Sequence, residues 1–180
     1  MFYLSLLLFF FLSIFTVSNG VEIMPNRLSK TLNTKEFLKR ISQLESSGGQ
    51  NTDHPVVQSG IQEGEQAIGQ YALMPNTVRE LINRRRLQGN EISPELQNIH
   101  KMPSPDMKKY IEENPNIEDD LANQLATKVI QGQVGDEDRA AYSWKMGHNL
   151  TPDRITDEKL NTNPYVQKYR NLKNLMGEEE

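Results

Sequence analysis

The chain has 180 residues, no cysteine and a formal net charge of −4. This length indicates a single domain that can bury a substantial apolar core. The mildly acidic, mixed charge argues against a nucleic-acid-binding protein. The absence of cysteine excludes a disulfide framework, a thiolate metal site and a lipid-modified N-terminal cysteine.

Residues 1–20 differ from the rest of the chain because they carry no charged side chain and contain a dense apolar run. The run ends in Ser18-Asn19-Gly20, where small residues fit a signal-peptidase site. We therefore predict an exported protein, periplasmic or extracellular, cleaved before Val21 and without a stable membrane span after cleavage. An uncleaved anchor is the alternative, because no Lys or Arg precedes the apolar run. The run is short for a bilayer crossing.

The first predicted helix follows an exposed lead-in at residues 21–33. Thr34 serves as its expected cap, and the apolar side chains that follow at helical spacing are Phe37, Leu38, Ile41 and Leu44. Ser46 to Gly49 ends this helix. Residues 50–66 contain a proline and two glycines and few apolar side chains, which indicates a long loop. Loops of this length are often functional.

Four more features complete the predicted fold. A helix follows Met74-Pro75 and ends near the basic residues 84–86, and prolines divide residues 94–115 into short pieces. Apolar residues then step by four from Ile117 to Val129, which is typical of an amphipathic core helix. Two further helices are predicted over residues 136–146 and 164–176. The chain is thus an all-α domain over residues 34–176, with room for a small β-like region after Glu45 and an acidic tail at 177–180.

Glu45 is the candidate catalytic residue. It ends the apolar stripe of the first helix, just before the small residues Ser46, Ser47 and Gly48. Burial of a carboxyl group disfavours its charged form and raises its pKa, as a general acid requires. The alternative is a solvated glutamate at a helix end, since isolated glutamates are mostly exposed.

Three downstream segments follow Glu45-Ser46 in a fixed order. They are Gly69-Gln70-Tyr71-Ala72-Leu73-Met74-Pro75-Asn76-Thr77, Ala140-Ala141-Tyr142-Ser143-Trp144 and Asn163-Pro164-Tyr165-Val166. Together they resemble the catalytic domain of soluble lytic transglycosylases, a lysozyme-like family that cleaves peptidoglycan. That family shows Glu-Ser, Gly-x-x-Gln-x-Met-Pro-x-Thr, Ala-Tyr-Asn and a late Tyr-Val. The resemblance extends from about residue 34 to residue 175.

The resemblance implies roles for individual residues. Glu45 is the single acid/base, and the groove is lined by Ser46, Met74, Tyr142 and Tyr165. Two positions depart from the family pattern, because its glutamine falls on Ala72 and its asparagine on Ser143. Gln70, Tyr71 and Trp144 are the candidates to replace the missing sugar contacts.

The resemblance also implies the reaction and the partner. The substrate is the glycan strand of peptidoglycan, and the bond is the β-1,4 linkage between N-acetylmuramic acid and N-acetylglucosamine, cleaved by a monomer with formation of a 1,6-anhydro ring. Hydrolysis is the first alternative, with a second carboxylate from Asp53, Glu63 or Glu65. A non-catalytic peptidoglycan-binding or assembly protein is the second. No cofactor or metal is expected, because the three histidines lack metal-ligand spacing.

Overall fold

The computed structural model describes residues 33–177, which fold into eight α-helices without a β-sheet. The all-α prediction is confirmed. The helices are α1 (Thr34–Ser46), α2 (Pro75–Leu87), α3 (Pro94–Lys101), α4 (Ser104–Glu113), α5 (Pro115–Gly132), α6 (Glu137–Met146), α7 (Asp157–Thr162) and α8 (Pro164–Gly177). The predicted signal at 1–20, most of the lead-in and residues 178–180 lie outside the described residues. Within residues 33–177, no helix has the length and apolar character needed to cross a bilayer.

Side-chain caps set the starts of several helices. The carboxamide oxygen of Asn33 accepts a hydrogen bond from the backbone N–H of Lys35 at 2.9 Å, so α1 is capped one residue earlier than the predicted Thr34. Asp136 caps α6 in the same way through the N–H of Arg139. Such caps satisfy N–H groups that have no partner inside the helix, and each typically contributes about 1 kcal/mol.

The core is organised around α5, which packs against α1, α2, α4 and α6. Its buried face carries the predicted stripe, with Ile117, Leu121, Ala122, Leu125, Ala126 and Val129. Burying a side chain the size of leucine stabilises the fold by roughly 1.5–3 kcal/mol. The helix that the sequence marks as core is therefore the one that positions the others.

The loop between α1 and α2 has local structure of its own. Two isolated antiparallel β-bridges pair Val56 with Gln66 and Ile68 with Leu73. His54 Nε2 lies 2.7 Å from the carbonyl oxygen of Gly69, which ties the start of the loop to its end. The β-like region expected after Glu45 is present as these two bridges.

Helices α6 and α8 close against α1 through aromatic and charged contacts. The Phe37 ring lies 6.0 Å from the Trp144 ring and 5.8 Å from the Tyr169 ring, measured between centroids. The Tyr169 hydroxyl donates to the Glu137 carboxylate at 2.7 Å, and Arg40 of α1 pairs with that same carboxylate. This packing brings one side chain from α6 and one from α8 to the end of α1.

Candidate functional site

Glu45 lies in the last turn of α1, where the backbone reverses. The next residue outside the helix, Ser47, adopts a left-handed conformation with φ 54°, and Gly48 and Gly49 also have positive φ. This turn leads the chain away from the helix end, where the Glu45 side chain is only 8% exposed. The predicted general acid is thus a largely buried carboxyl group at a helix end.

The Glu45 carboxylate has a close cationic neighbour that the sequence did not reveal. Lys145 Nζ lies 3.1 Å from one carboxylate oxygen and 3.4 Å from the other. The Lys145 side chain is 48% exposed, and its ammonium also lies 5.3 Å from the centroid of the Tyr165 ring. The ion pair therefore joins a largely buried carboxylate to a half-exposed ammonium, which solvent or a ligand can reach.

Tyr165 is the third member of this group. Its hydroxyl is buried and has no hydrogen-bond partner of good geometry among the described residues. Burial, followed by the negative charge of Glu45, raises the pKa of the Tyr165 hydroxyl well above its ordinary value. The phenol therefore stays neutral and keeps a proton that it can donate to Glu45 or to a bound ligand.

None of the three loop carboxylates contacts Glu45 in the described part of the chain. Asp53 accepts a hydrogen bond from Gln66 at 3.2 Å, Glu65 accepts one from Ser104 at 2.8 Å, and Glu63 is exposed. A two-carboxylate site needs the second group within about 5 to 10 Å of the first. Asp53 is thus bonded within the loop and Glu65 to the start of α4.

Residues 69–72 form a turn between Ile68 and Leu73, the two residues of the second β-bridge. This turn packs directly on the end of α1. Ser46 Oγ lies 2.8 Å from the Gln70 carbonyl oxygen and accepts a hydrogen bond from the Gly49 N–H at 2.8 Å. The Gln70 carboxamide accepts from Ser42 Oγ at 3.1 Å and donates to Asp119 at 3.2 Å. Ser46 and Gln70, both predicted to contact substrate, are thus occupied with internal contacts that hold the turn beside Glu45.

Glu118 holds the other side of this turn and was missed by the sequence reasoning. It is 3% exposed and accepts a hydrogen bond from the Tyr71 N–H at 2.9 Å. Burial is the largest influence and raises the pKa of the Glu118 carboxyl to about 7. The sequence does indicate that Glu118 is buried, because it precedes Leu121 and Ala122 by one helical turn and so shares the buried face of α5.

The other predicted aromatic residues occupy different surroundings. Trp144 is half-buried and packs against the main core at Phe37. Tyr142 packs instead against a smaller cluster formed by Ile155, Leu160 and Val166. Tyr71 is half-buried, and burial followed by the charge of Asp119 raises the pKa of its hydroxyl. Of the predicted aromatic contacts, Tyr165 is the one with a described interaction with Glu45.

Three more positions bear on the family pattern. Met74 is half-exposed and is the last residue before α2. Ala72 has a positive φ of 52°, a conformation that alanine adopts at some cost. Ser143 is fully buried, and its hydroxyl has no hydrogen-bond partner in the described part of the chain. The two departures from the pattern therefore carry a short methyl group and a hidden hydroxyl, neither of which offers an amide to a sugar.

Comparison with protein-family models, with curated proteins and with solved structures finds no match to this chain. Within residues 33–177, no group of three or more His, Asp or Glu residues is arranged to hold a metal ion. What the site can do is therefore argued from its geometry.

A substitution at Gly69 tests how closely the turn at residues 69–72 packs against Glu118. A Cβ atom at this position would lie 2.1 Å from a Glu118 carboxylate oxygen, whereas a Cβ at Gly64 would meet no atom within 4 Å. Both glycines have positive φ, so an alanine at either suffers similar backbone strain. We expect Gly69→Ala to lower the free energy of unfolding by at least about 2 kcal/mol more than Gly64→Ala, because only Gly69→Ala also overpacks the site. Urea denaturation measures both; equal losses would contradict the clash.

The Glu118 carboxyl predicts a pH dependence of stability. Its ordinary pKa of 4.5 is raised to about 7 in the folded protein. Between these values the folded state binds more protons than the unfolded state, so the free energy of unfolding falls as pH rises, by at most about 3 kcal/mol. Glu118→Gln keeps an acceptor oxygen for Tyr71 but cannot ionise, so we expect a smaller decline. Denaturation series at pH 4.5 and 8 measure the free energy of unfolding of both proteins. Identical declines in the two proteins would contradict the raised pKa of Glu118.

Proposed function

We propose that this protein is a lytic transglycosylase that cleaves the β-1,4 bond between N-acetylmuramic acid and N-acetylglucosamine in peptidoglycan. The observation that carries the proposal is the largely buried carboxyl of Glu45 at a helix end, which contacts no second carboxylate among the described residues and lies beside the proton-bearing hydroxyl of Tyr165. The resemblance of the ordered motifs adds to it. A single acid/base carboxyl matches a reaction in which the substrate supplies its own nucleophile.

In the first step, the Glu45 carboxyl donates its proton to the glycosidic oxygen, and the bond between that oxygen and C1 of the muramic acid residue breaks. Positive charge develops at C1, and the neighbouring N-acetyl group of the substrate stabilises it, as in other glycosidases that use substrate assistance.

In the second step, the C6 hydroxyl of the same sugar attacks C1, and its proton returns to the Glu45 carboxylate. A 1,6-anhydro ring closes and the acid is regenerated, so atoms and charge balance without water. Tyr165, whose hydroxyl has no other partner among the described residues, can hydrogen-bond the carboxylate between the two steps.

Lys145 has opposite effects on these steps. An ammonium 3.1 Å from the carboxylate stabilises the ionised form, which the second step needs and the first does not. Because the Lys145 side chain is half-exposed, we propose that a bound glycan strand displaces it from the Glu45 carboxyl.

The role of Glu45 and the chemical form of the peptidoglycan fragments can be tested together. We expect peptidoglycan digested by the wild-type protein to yield fragments whose muramic acid ends resist reduction by borohydride, because the anhydro ring has no free aldehyde form. Glu45→Gln cannot donate a proton, and we expect it to lower turnover by at least about 100-fold, since general acid catalysis contributes that much. Mass spectrometry of reduced fragments measures both.

Other outcomes of this experiment identify the alternatives. Reducible ends that depend on Glu45 would contradict transglycosylation and indicate a hydrolase, with a second carboxylate to be sought at Asp53, Glu63 and Glu65. Equal behaviour of the wild type and Glu45→Gln, with cell-wall binding retained, would instead indicate a binding or assembly protein.

Substitution of Lys145 tests whether its ion pair with Glu45 matters for turnover. In Lys145→Gln, the Glu45 carboxylate loses its cationic partner. Because an ion pair with a half-exposed partner contributes about 1 kcal/mol or less, we expect kcat/KM on peptidoglycan to stay within about tenfold of the wild-type value. Lys145→Arg keeps the charge and is expected to keep the wild-type kcat/KM. A loss in Lys145→Gln as large as that in Glu45→Gln would contradict the displacement of Lys145 by the glycan strand.

A further inference from the structure

A polar cavity lies near the candidate site, and Glu45 is not among its lining residues. Its volume is about 780 Å³, and its walls come from α2, α5 and the segment 148–152 after α6. Five carboxamide side chains line it, at Gln88, Asn123, Gln124, Gln131 and Asn149. No Phe, Tyr or Trp is among its described lining residues, so the cavity lacks the flat apolar faces on which sugar rings stack.

The charges around this cavity are organised by Glu80. Its carboxylate lies 2.9 Å from Lys128 Nζ, 2.8 Å from His148 Nε2 and 3.5 Å from an Arg84 nitrogen, and these three basic residues all line the cavity. Partial burial acts to raise the pKa of Glu80, but the hydrogen bonds from Lys128 and His148 outweigh it and lower the pKa to about 2. The carboxylate therefore stays ionised and holds the basic side chains in place.

A positive excess remains at the cavity after this pairing. Asp120 in the lining pairs with Arg85 at 2.6 Å. Arg84, Lys128 and Arg85 thus face two carboxylates, which leaves one net positive charge with His148 neutral, in a chain whose overall charge is −4. In addition, Arg84 Nε is buried and has no hydrogen-bond partner within residues 33–177. An unused donor and a local positive charge favour an anionic ligand.

Hydrogen bonds from neighbouring side chains hold the wall formed by residues 148–152 in position. The Leu150 carbonyl accepts a hydrogen bond from the buried Gln133 at 2.7 Å, and the Pro152 carbonyl accepts one from Arg139 at 3.0 Å. Lys128 also donates to the Asn149 side chain at 2.6 Å. A ligand therefore meets a preformed surface, which lowers the ordering cost of binding.

Two elements of the cavity wall continue from the Glu45 site. Asp120 in the lining follows Asp119, which accepts a hydrogen bond from the Gln70 carboxamide, and His148 follows Lys145 by three residues, just after the end of α6. We therefore take a group attached to a glycan strand at Glu45 as the candidate ligand of the cavity.

We infer that this cavity binds the acidic peptide that branches from the muramic acid residues of peptidoglycan. The stem offers free carboxylates to Arg84 and Lys128 and peptide groups to the exposed carboxamides of Gln88 and Gln131, which can both donate and accept. The carboxamide of Gln124 is instead engaged within the protein, with Arg85 and the Leu81 carbonyl. The inference rests on the proposed function, because it takes the glycan strand at Glu45 as the point of attachment.

A binding experiment independent of turnover tests the inference. The probe is N-acetyl-L-alanyl-D-glutamate with both carboxylates free, titrated into the full-length protein and followed by NMR chemical shifts; its diamide is the uncharged control. We expect the diamide to bind at least about tenfold more weakly, because it lacks charge-assisted hydrogen bonds. We expect Arg84→Gln to weaken binding of the dicarboxylate about fivefold, and Arg86→Gln, an exposed neighbour on α2 outside the lining, to leave it unchanged.

Equal binding of the dicarboxylate and its diamide would overturn the inference, as would wild-type affinity in Arg84→Gln. A turnover experiment adds the glycan context. Arg84→Gln is expected to slow digestion of stem-bearing peptidoglycan about fivefold relative to stem-free glycan strands, and Arg86→Gln to digest both as the wild type does. Failure of all turnover would count against the proposed transglycosylase, whereas selective dicarboxylate binding would still show an acidic-peptide site.

Discussion

The site depends on the contact between the buried carboxyl of Glu118 and the turn that begins at Gly69. A glycine is required there because the carboxyl group occupies the space that any side chain would need. The opposite side of the turn is held by Ser46, in the last turn of α1. A polar chain of contacts therefore links the core helix α5, the turn and the helix end that carries Glu45. Disturbing any one of these contacts moves the acid relative to the rest of the site.

Several polar side chains near Glu45 serve the fold. The Gln70 carboxamide uses both its oxygen and its nitrogen within the protein, and Ser46 is buried. Few groups are then left at the acid itself, chiefly a half-exposed ammonium from Lys145 and the phenol of Tyr165. This sparse arrangement agrees with a mechanism in which the substrate supplies both the charge stabilisation at C1 and the nucleophile. It demands less of the protein than the paired carboxylates of a typical glycosidase.

The acid site and the neighbouring cavity use the same two structural elements. Helix α5 contributes Asp119 to the turn beside Glu45 and Asn123 and Lys128 to the cavity. The segment that begins with Lys145 in α6 continues to His148 in the cavity wall. Glu80 stays ionised and fixes the basic side chains, so the cavity keeps its charge without a ligand. One rigid helix therefore relates the two regions, which suits a substrate with a backbone and a branch.

The helices could be predicted from the sequence because apolar spacing is a local property: Phe37 and Ile41 mark α1, and the stripe from Ile117 to Val129 marks the core helix. Glu45 could be placed at a helix end for the same reason. Short α7 was not predicted, since six mostly polar residues carry no apolar period. The ion pair between Glu45 and Lys145 joins residues 100 positions apart, and no local pattern encodes it. The positions of the longer helices were thus determined by the sequence alone, because apolar spacing is local. The partners of Glu45 were decided by tertiary packing, because they depend on how α6 and α8 close against α1.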